Sequence, residues 1–156
     1  MTEFCSFFPL AVDKTLGESK LDDFVKSCQE QQVTDIERLI NKNNHTSLLS
    51  AIFSNSPYLS RLLFRDVKFA EMLLSMPFDD LYQKVVKGMT EDIPHLKDIS
   101  QLMRALRKAK AQVALIISFA DLSGSWSLAV ITRCLTEFAE ISVSLTPGKV
   151  PRVSSN

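Results

Sequence analysis

Residues 101–145 read QLMRALRKAKAQVALIISFADLSGSWSLAVITRCLTEFAEISVSL, and this stretch decides the fold class. Apolar side chains recur at Leu102, Leu106, Ala109, Val113, Ile116, Ile117 and Ala120. They recur again at Leu128, Ile131, Leu135, Phe138, Ile141 and Leu145. Steps of three and four mark one apolar stripe on each of two helices. Between them stands Asp121-Leu-Ser-Gly-Ser-Trp126, in which Gly124 is free to take the left-handed conformation of a helix stop. The result is a helical hairpin whose stripes need a surface to cover. Trp126, at its turn, is expected to wedge the two helices apart.

Upstream, the chain reads as a series of shorter helices. Leu21, Phe24, Val25 and Cys28 give one amphipathic set within 18–31. Thr34 and Glu37 have the spacing of a capping box ahead of Ile36, Leu39 and Ile40. Asn41-Lys-Asn-Asn-His45 supplies a turn. Leu48, Leu49, Ile52 and Phe53 follow, then Ser56-Pro57 restarts a helix: serine caps, and proline suits the first helical position. Asp66 is placed to cap the set Val67, Phe69, Ala70, Leu73 and Leu74, which Met76-Pro77 ends. Asp79 or Asp80 starts another helix, and a connector around Pro94 leads into the hairpin.

No strand alternation or fixed-period repeat interrupts this pattern. The reading is all-α: an irregular bundle of about seven or eight helices with a long C-terminal helical hairpin. Its expected organisation is an irregular N-terminal arm at 1–17, broken by Pro9 and Gly17, a helical domain at 18–146 and a flexible tail at 147–156.

Composition narrows the function classes. The 156 residues are 46% hydrophobic and 23% charged, enough for a single domain with its own core. Eighteen basic residues balance eighteen acidic ones, which argues against nucleic acid or an anionic membrane as bulk partners. The longest apolar run, near 113–120, is far short of the roughly 20 residues a membrane span needs. No basic residue precedes the Phe7-Phe8-Pro9-Leu10 run as a secretory signal would require. Cys5, Cys28 and Cys134 are scattered and lack the paired spacing of a zinc site, so free thiols in a reducing, cytoplasmic setting are expected. His45 and His95 fall in expected loops. Asp22-Asp23, Asp79-Asp80 and Glu91-Asp92 read as helix-start acids that complement the helix dipole.

No catalytic set emerges from the residues, and no catalytic, cofactor or metal residue is assigned. The one candidate binding feature is a basic face on the first hairpin helix, Arg104, Arg107, Lys108 and Lys110. Such a face either meets an anion or a partner, or is the solvated side of an amphipathic helix.

Two stretches carry a resemblance. Residues 47–74, SLLSAIFSNSPYLSRLLFRDVKFAEMLL, and residues 102–124, LMRALRKAKAQVALIISFADLSG, with the helix after them, resemble the N-terminal region of bacterial glutamine synthetase adenylyltransferase, the adenylyl-removing enzyme. Asn55, Ser56, Pro57, Tyr58, Leu59 and Arg65 fit the first motif. Leu106, Arg107, Lys110, Asp121 and Leu122 fit the second. Ala111 and Ile116 stand where the family shows arginines, and Gln112 stands near its acidic position. If both sites face outward, arginine should be tolerated at each.

The resemblance implies a family that transfers AMP from ATP to a tyrosine of glutamine synthetase and removes it by phosphorolysis, regulating nitrogen assimilation. It implies Mg²⁺ and ATP for the complete enzyme, and glutamine synthetase and a PII signalling protein as partners. In the family, nucleotide chemistry uses a Gly-Ser or Gly-Gly turn and a D-x-D pair in a following nucleotidyltransferase domain. Here only Gly124-Ser125 with Glu137 and Glu140 comes near that pattern, in a strong helix setting and with the wrong acid spacing. The expectation is a truncated or N-terminal fragment, catalytically silent alone. The alternative is a free-standing helical module for protein interaction.

Overall fold

A computed structural model describes residues 11–146. Eight α-helices follow one another: α1 Lys14–Glu30, α2 Ile36–Asn41, α3 His45–Asn55, α4 Pro57–Arg65, α5 Val67–Ser75, α6 Phe78–Glu91, α7 Ile99–Leu122 and α8 Leu128–Leu145. A 3₁₀ turn at Ile93–His95 sits in the connector before α7, and no strand occurs among the described residues. The all-α class and the long C-terminal hairpin are therefore as expected.

Helix boundaries follow local chemistry. Ser56 Oγ accepts from Leu59 N–H at 3.2 Å at the head of α4, and Asp66 Oδ1 accepts from Phe69 N–H at 3.1 Å at the head of α5. The α7 stop is a Schellman motif. Gly124 sits at φ +68°, its N–H donates to Asp121 O at 3.0 Å, and Ser125 N–H donates to Ala120 O at 2.9 Å. Helix α1 ends in the same motif without glycine: Gln32 takes φ 65°, its N–H donates to Gln29 O at 3.0 Å, and Val33 N–H donates to Cys28 O at 2.9 Å.

Several expectations need correction. The capping box at Thr34 and Glu37 does not form: Asp35 is the N-cap of α2 and makes no side-chain cap bond. Glu37 Oε1 instead accepts from Gln29 Nε2 at 2.8 Å, bracing α2 against α1. The N-terminal arm is shorter than 1–17, because α1 begins at Lys14 under an Asp13 cap whose Oδ1 accepts from Leu16 N–H at 2.9 Å. The N–H groups of Val12 and Asp13 donate to Asn55 Oδ1 and Ser54 Oγ at 3.0 and 2.8 Å, tying this approach to the end of α3. Residues 1–10 of the expected arm and the whole expected tail, 147–156, lie outside the described residues. Gly17 does not break the chain; it is buried within α1, directly against Ser50 of α3. Asp22 and Asp23 lie in the middle of α1, and Glu91 ends α6; only Asp79 and Asp80 occupy a first turn.

One continuous core joins the helices. Phe24 of α1, Phe53 of α3 and Phe64 of α4 form an aromatic triangle with ring centroids 5.4, 5.5 and 5.6 Å apart. Pairs at this separation are stabilised by edge–face electrostatics as well as by burial. Helix α1 lies most extensively along α3, and α6 along α7. Trp126 does not wedge α7 from α8. It packs edge-on to Phe78 and Tyr82 of α6, at 6.4 and 6.0 Å, and so anchors the hairpin turn on the bundle. Tyr82 extends that anchorage to α8: its hydroxyl donates to Cys134 O at 2.8 Å and contacts Glu137 Oε2 at 3.0 Å. Burial and the neighbouring Glu137 carboxylate both push the Tyr82 pKa up.

The two hairpin stripes fare differently. Helix α7 buries Ala109, Val113, Leu115, Ile116, Phe119 and Ala120. Helix α8 buries only Ile131 and Cys134, leaving Leu128, Leu135 and Val143 at 78%, 49% and 51% exposure.

Candidate functional site: a cationic groove along α7

Asp98 starts α7 by accepting from Ser100 N–H at 3.0 Å. From there, residues 100, 103/104, 107/108, 111 and 115 recur at helical spacing and share one side of the helix. That side faces the end of α4 and the start of α5. Together they enclose a groove of about 870 Å³. Leu62, Phe69 and Leu115 form a buried apolar floor, and Met103 and Ile99 are exposed on the rim at 38% and 65%.

Four cations surround this floor: Arg65 from α4, and Arg104, Arg107 and Lys108 from α7, all exposed. Arg107 Nε donates to Met103 O at 3.3 Å, which lays its guanidinium back along the helix. The one carboxylate lining the groove, Asp66, already accepts from Phe69 N–H as a helix cap. The only ion pair within 4.0 Å among the described residues is Lys87–Glu91, far from the groove in sequence and on another helix. The four groove cations therefore have no counter-charge fixed among those residues.

Of the sequence-derived basic face, Arg104, Arg107 and Lys108 line the groove. Lys110 is exposed and is not part of the lining; its place around the helix is about 100° away from the groove's midline. Arg65 takes its place. A sequence reading confined to one helix could not have found Arg65, because α4 and α7 are brought together only by packing. Ala111 is half-buried at the groove wall, whereas Ile116 is fully buried in the core. The apolar stripe, not the family's arginine pattern, describes position 116 correctly.

The other candidate residues have structural duties. Gly124 and Ser125 close α7 through the Schellman bonds, and Glu137 is engaged by Tyr82. His45 heads α3 with its Nδ1 2.8 Å from Leu39 O, bonded rather than simply solvated; His95 is exposed. Cys28 and Cys134 are buried free thiols, and Cys5 lies outside the described residues. Burial, with a smaller contribution from the charge on Glu71, pushes the Cys28 pKa up from 9.0 to about 11; burial likewise raises that of Cys134. Such thiols are poor nucleophiles. No group of three or more His, Cys, Asp or Glu able to hold a metal occurs among the described residues. Among the described residues, no helix is long and apolar enough to cross a membrane.

A bundle of short helices carrying a long hairpin and a cationic groove defines an all-helical domain. Its lineage is shown by comparison with known sequences. The sequence model of the glutamate-ammonia ligase adenylyltransferase family matches residues 46–146, and the chain belongs to that family. The chain is also similar to proteins described as bifunctional glutamine synthetase adenylyltransferase/adenylyl-removing enzymes. A Bradyrhizobium protein is 27% identical over 130 residues, covering 83% of this chain and 13% of its own length. A Rhodopseudomonas palustris protein is 32% identical over 139 residues, covering 88% and 14%. A Caulobacter vibrioides protein is 32% identical over 92 residues, covering 59% and 9%. The chain thus spans about 13% of the length of the first of these relatives. No solved structure matches it.

Proposed function

We propose that this chain is a helical, non-catalytic part of a glutamine synthetase adenylyltransferase/adenylyl-removing enzyme, and that its α7–α8 hairpin packs against the nucleotidyltransferase part of that enzyme. In this reading AMP transfer to glutamine synthetase and its removal, with Mg²⁺, ATP and a PII signalling partner, belong to the complete enzyme. The helical part contributes a rigid surface.

The observation that carries the reading is α8. A helix of 18 residues buries two side chains against its own bundle and presents Leu128, Leu135 and Val143 outward. Phe138, Ile141 and Leu145 are only half-covered. Large apolar side chains left exposed along one helix in this way mark a docking face. Covering it would remove several large side chains from water, at about 25 cal/mol per Å² of apolar area.

Sedimentation velocity of the isolated chain tests the docking face. Concentration-dependent self-association, relieved by Leu135→Glu, is expected. A monomer across the full concentration range, with or without the substitution, overturns the docking role of α8. Titration calorimetry with Mg-ATP tests the non-catalytic assignment, and micromolar affinity would overturn it.

A further inference from the structure

We propose that the groove between α7 and the α4–α5 corner is a docking site for an acidic amphipathic helix. This goes beyond the α8 interface: the groove involves a different side of α7 and different residues.

Charge complementarity argues for the acidic character. The chain as a whole is neutral, yet this groove gathers Arg65, Arg104, Arg107 and Lys108 around a single carboxylate that is occupied as a cap. Like charges lining one groove repel one another, and a ligand that brings carboxylates relieves that repulsion. Three of the four are arginines, whose planar fork suits bidentate pairing with carboxylates.

The floor argues for an amphipathic ligand rather than a free ion. Leu62, Phe69 and Leu115 lie beneath the cations, and Met103 and Ile99 stand exposed at the rim. A small anion would leave the exposed Ile99 and Met103 side chains in water. Methionine at such a place adapts to varied apolar side chains.

The shape argues for a helix. The lining runs along α7 from Ile99 to Leu115, about 24 Å at 1.5 Å per residue, or some four helical turns. A partner helix lying along it would set apolar residues at i, i+3/i+4 and i+7 against Ile99, Met103 and the half-buried Ala111, and acidic residues on its flanks. The cations at 104, 107 and 108 recur at the same spacing, so carboxylates three or four residues apart on the partner meet them in register.

The test uses the full chain and a fluorescein-labelled 16-residue helical peptide with leucines at i, i+4 and i+7 and glutamates flanking them. Binding is read by anisotropy. Micromolar binding that weakens with added salt is expected. Arg104→Glu with Arg107→Glu should weaken it by about tenfold or more, and Lys110→Glu should leave it within about twofold. A peptide with lysine at every glutamate position should fail with the native chain and bind the double variant. Circular dichroism of each variant confirms the helical fold, since all three side chains are exposed. No binding, equal sensitivity to Lys110→Glu, equal affinity for the lysine peptide, or tighter binding of a single-stranded oligonucleotide of the same net charge would each overturn the proposal.

Discussion

Replacing Gly17 by alanine sets two opposed effects against each other in one helix. In a helix interior, alanine is favoured over glycine by about 1 kcal/mol, because less backbone freedom is lost on folding. But a methyl group built on Gly17 would lie 2.5 Å from both the carbonyl oxygen and Oγ of Ser50. That is roughly 1 Å inside ordinary van der Waals contact. The hydroxyl could rotate away; the carbonyl belongs to the backbone of α3 and cannot. Since α1 and α3 share the most extensive interhelical contact in the bundle, relief requires one helix to move off the other. Overpacking of this kind costs about 1–3 kcal/mol. The net expectation is a loss of about 1 kcal/mol, a Tm drop of about 2–4 °C for a chain of this size. Gly88 provides the matched control. It too lies within a helix, but its nearest neighbour to an added methyl is Asp92 Oδ2 at an ordinary 3.7 Å. Gly88→Ala should therefore stabilise by about 0.5–1 kcal/mol. Thermal and urea unfolding followed by circular dichroism compare the two. If Gly17→Ala raises Tm as much as Gly88→Ala does, the close α1–α3 approach is wrong.

Four further outcomes follow from the packing. Ile116→Arg should abolish cooperative folding, because it deletes a fully buried side chain worth about 2–5 kcal/mol and buries a charge, against a total stability of about 5–15 kcal/mol. Ala111→Arg should unfold within about 1 kcal/mol of the parent, and near-ultraviolet dichroism with urea titration separates the two. Tyr82→Phe removes the hydroxyl that Cys134 O and Glu137 share, and a loss of about 1–2 kcal/mol in urea is expected; an unchanged midpoint would refute that latch. Gln32→Gly should stabilise by about 1 kcal/mol in the same assay by relieving a left-handed non-glycine residue. For pH, the Cys28 thiol ionises at its usual 9.0 when unfolded and at about 11 when folded. Between those values the unfolded chain releases a proton that the folded chain keeps, so stability holds below 9.0 and falls as pH rises toward 11. Cys28→Ala should flatten the first part of that fall; Tyr82, raised for similar reasons, adds to it at higher pH.

The helix count and several boundaries were legible in the sequence because they depend on local chemistry. Ser56-Pro57, Asp66 and Gly124 act within three residues of themselves, so their types announce their roles. The stop of α1 near residue 31 was legible but its device was not: Gln32 holds a left-handed backbone that nothing about glutamine signals, stabilised by the burial of Val33 and Cys28 on either side of the turn. The start of α1 was hidden for the reverse reason. Gly17 reads as a breaker in isolation, and only its fit against Ser50 explains a glycine inside a helix. Thr34 and Glu37 matched a capping pattern, but Gln29, eight residues away, claimed the glutamate. Of the candidate groove, the α7 contribution was visible as charge at helical spacing. Arg65, Leu62 and Phe69 were not, because their proximity to α7 arises from tertiary packing.

The hold on α8 has a consequence for how the molecule opens. Its turn is pinned through Trp126 and its middle through Ile131, Cys134 and Tyr82, while the stretch beyond Glu137 has no fully buried side chain. Local opening there need expose little apolar surface, so its amides should exchange with solvent ahead of those in α3 or α7. Whatever comes to rest on that side would slow exchange in α8 selectively. The deuterium uptake of this one helix is then a built-in gauge of whether the surface is occupied, readable without knowing what occupies it.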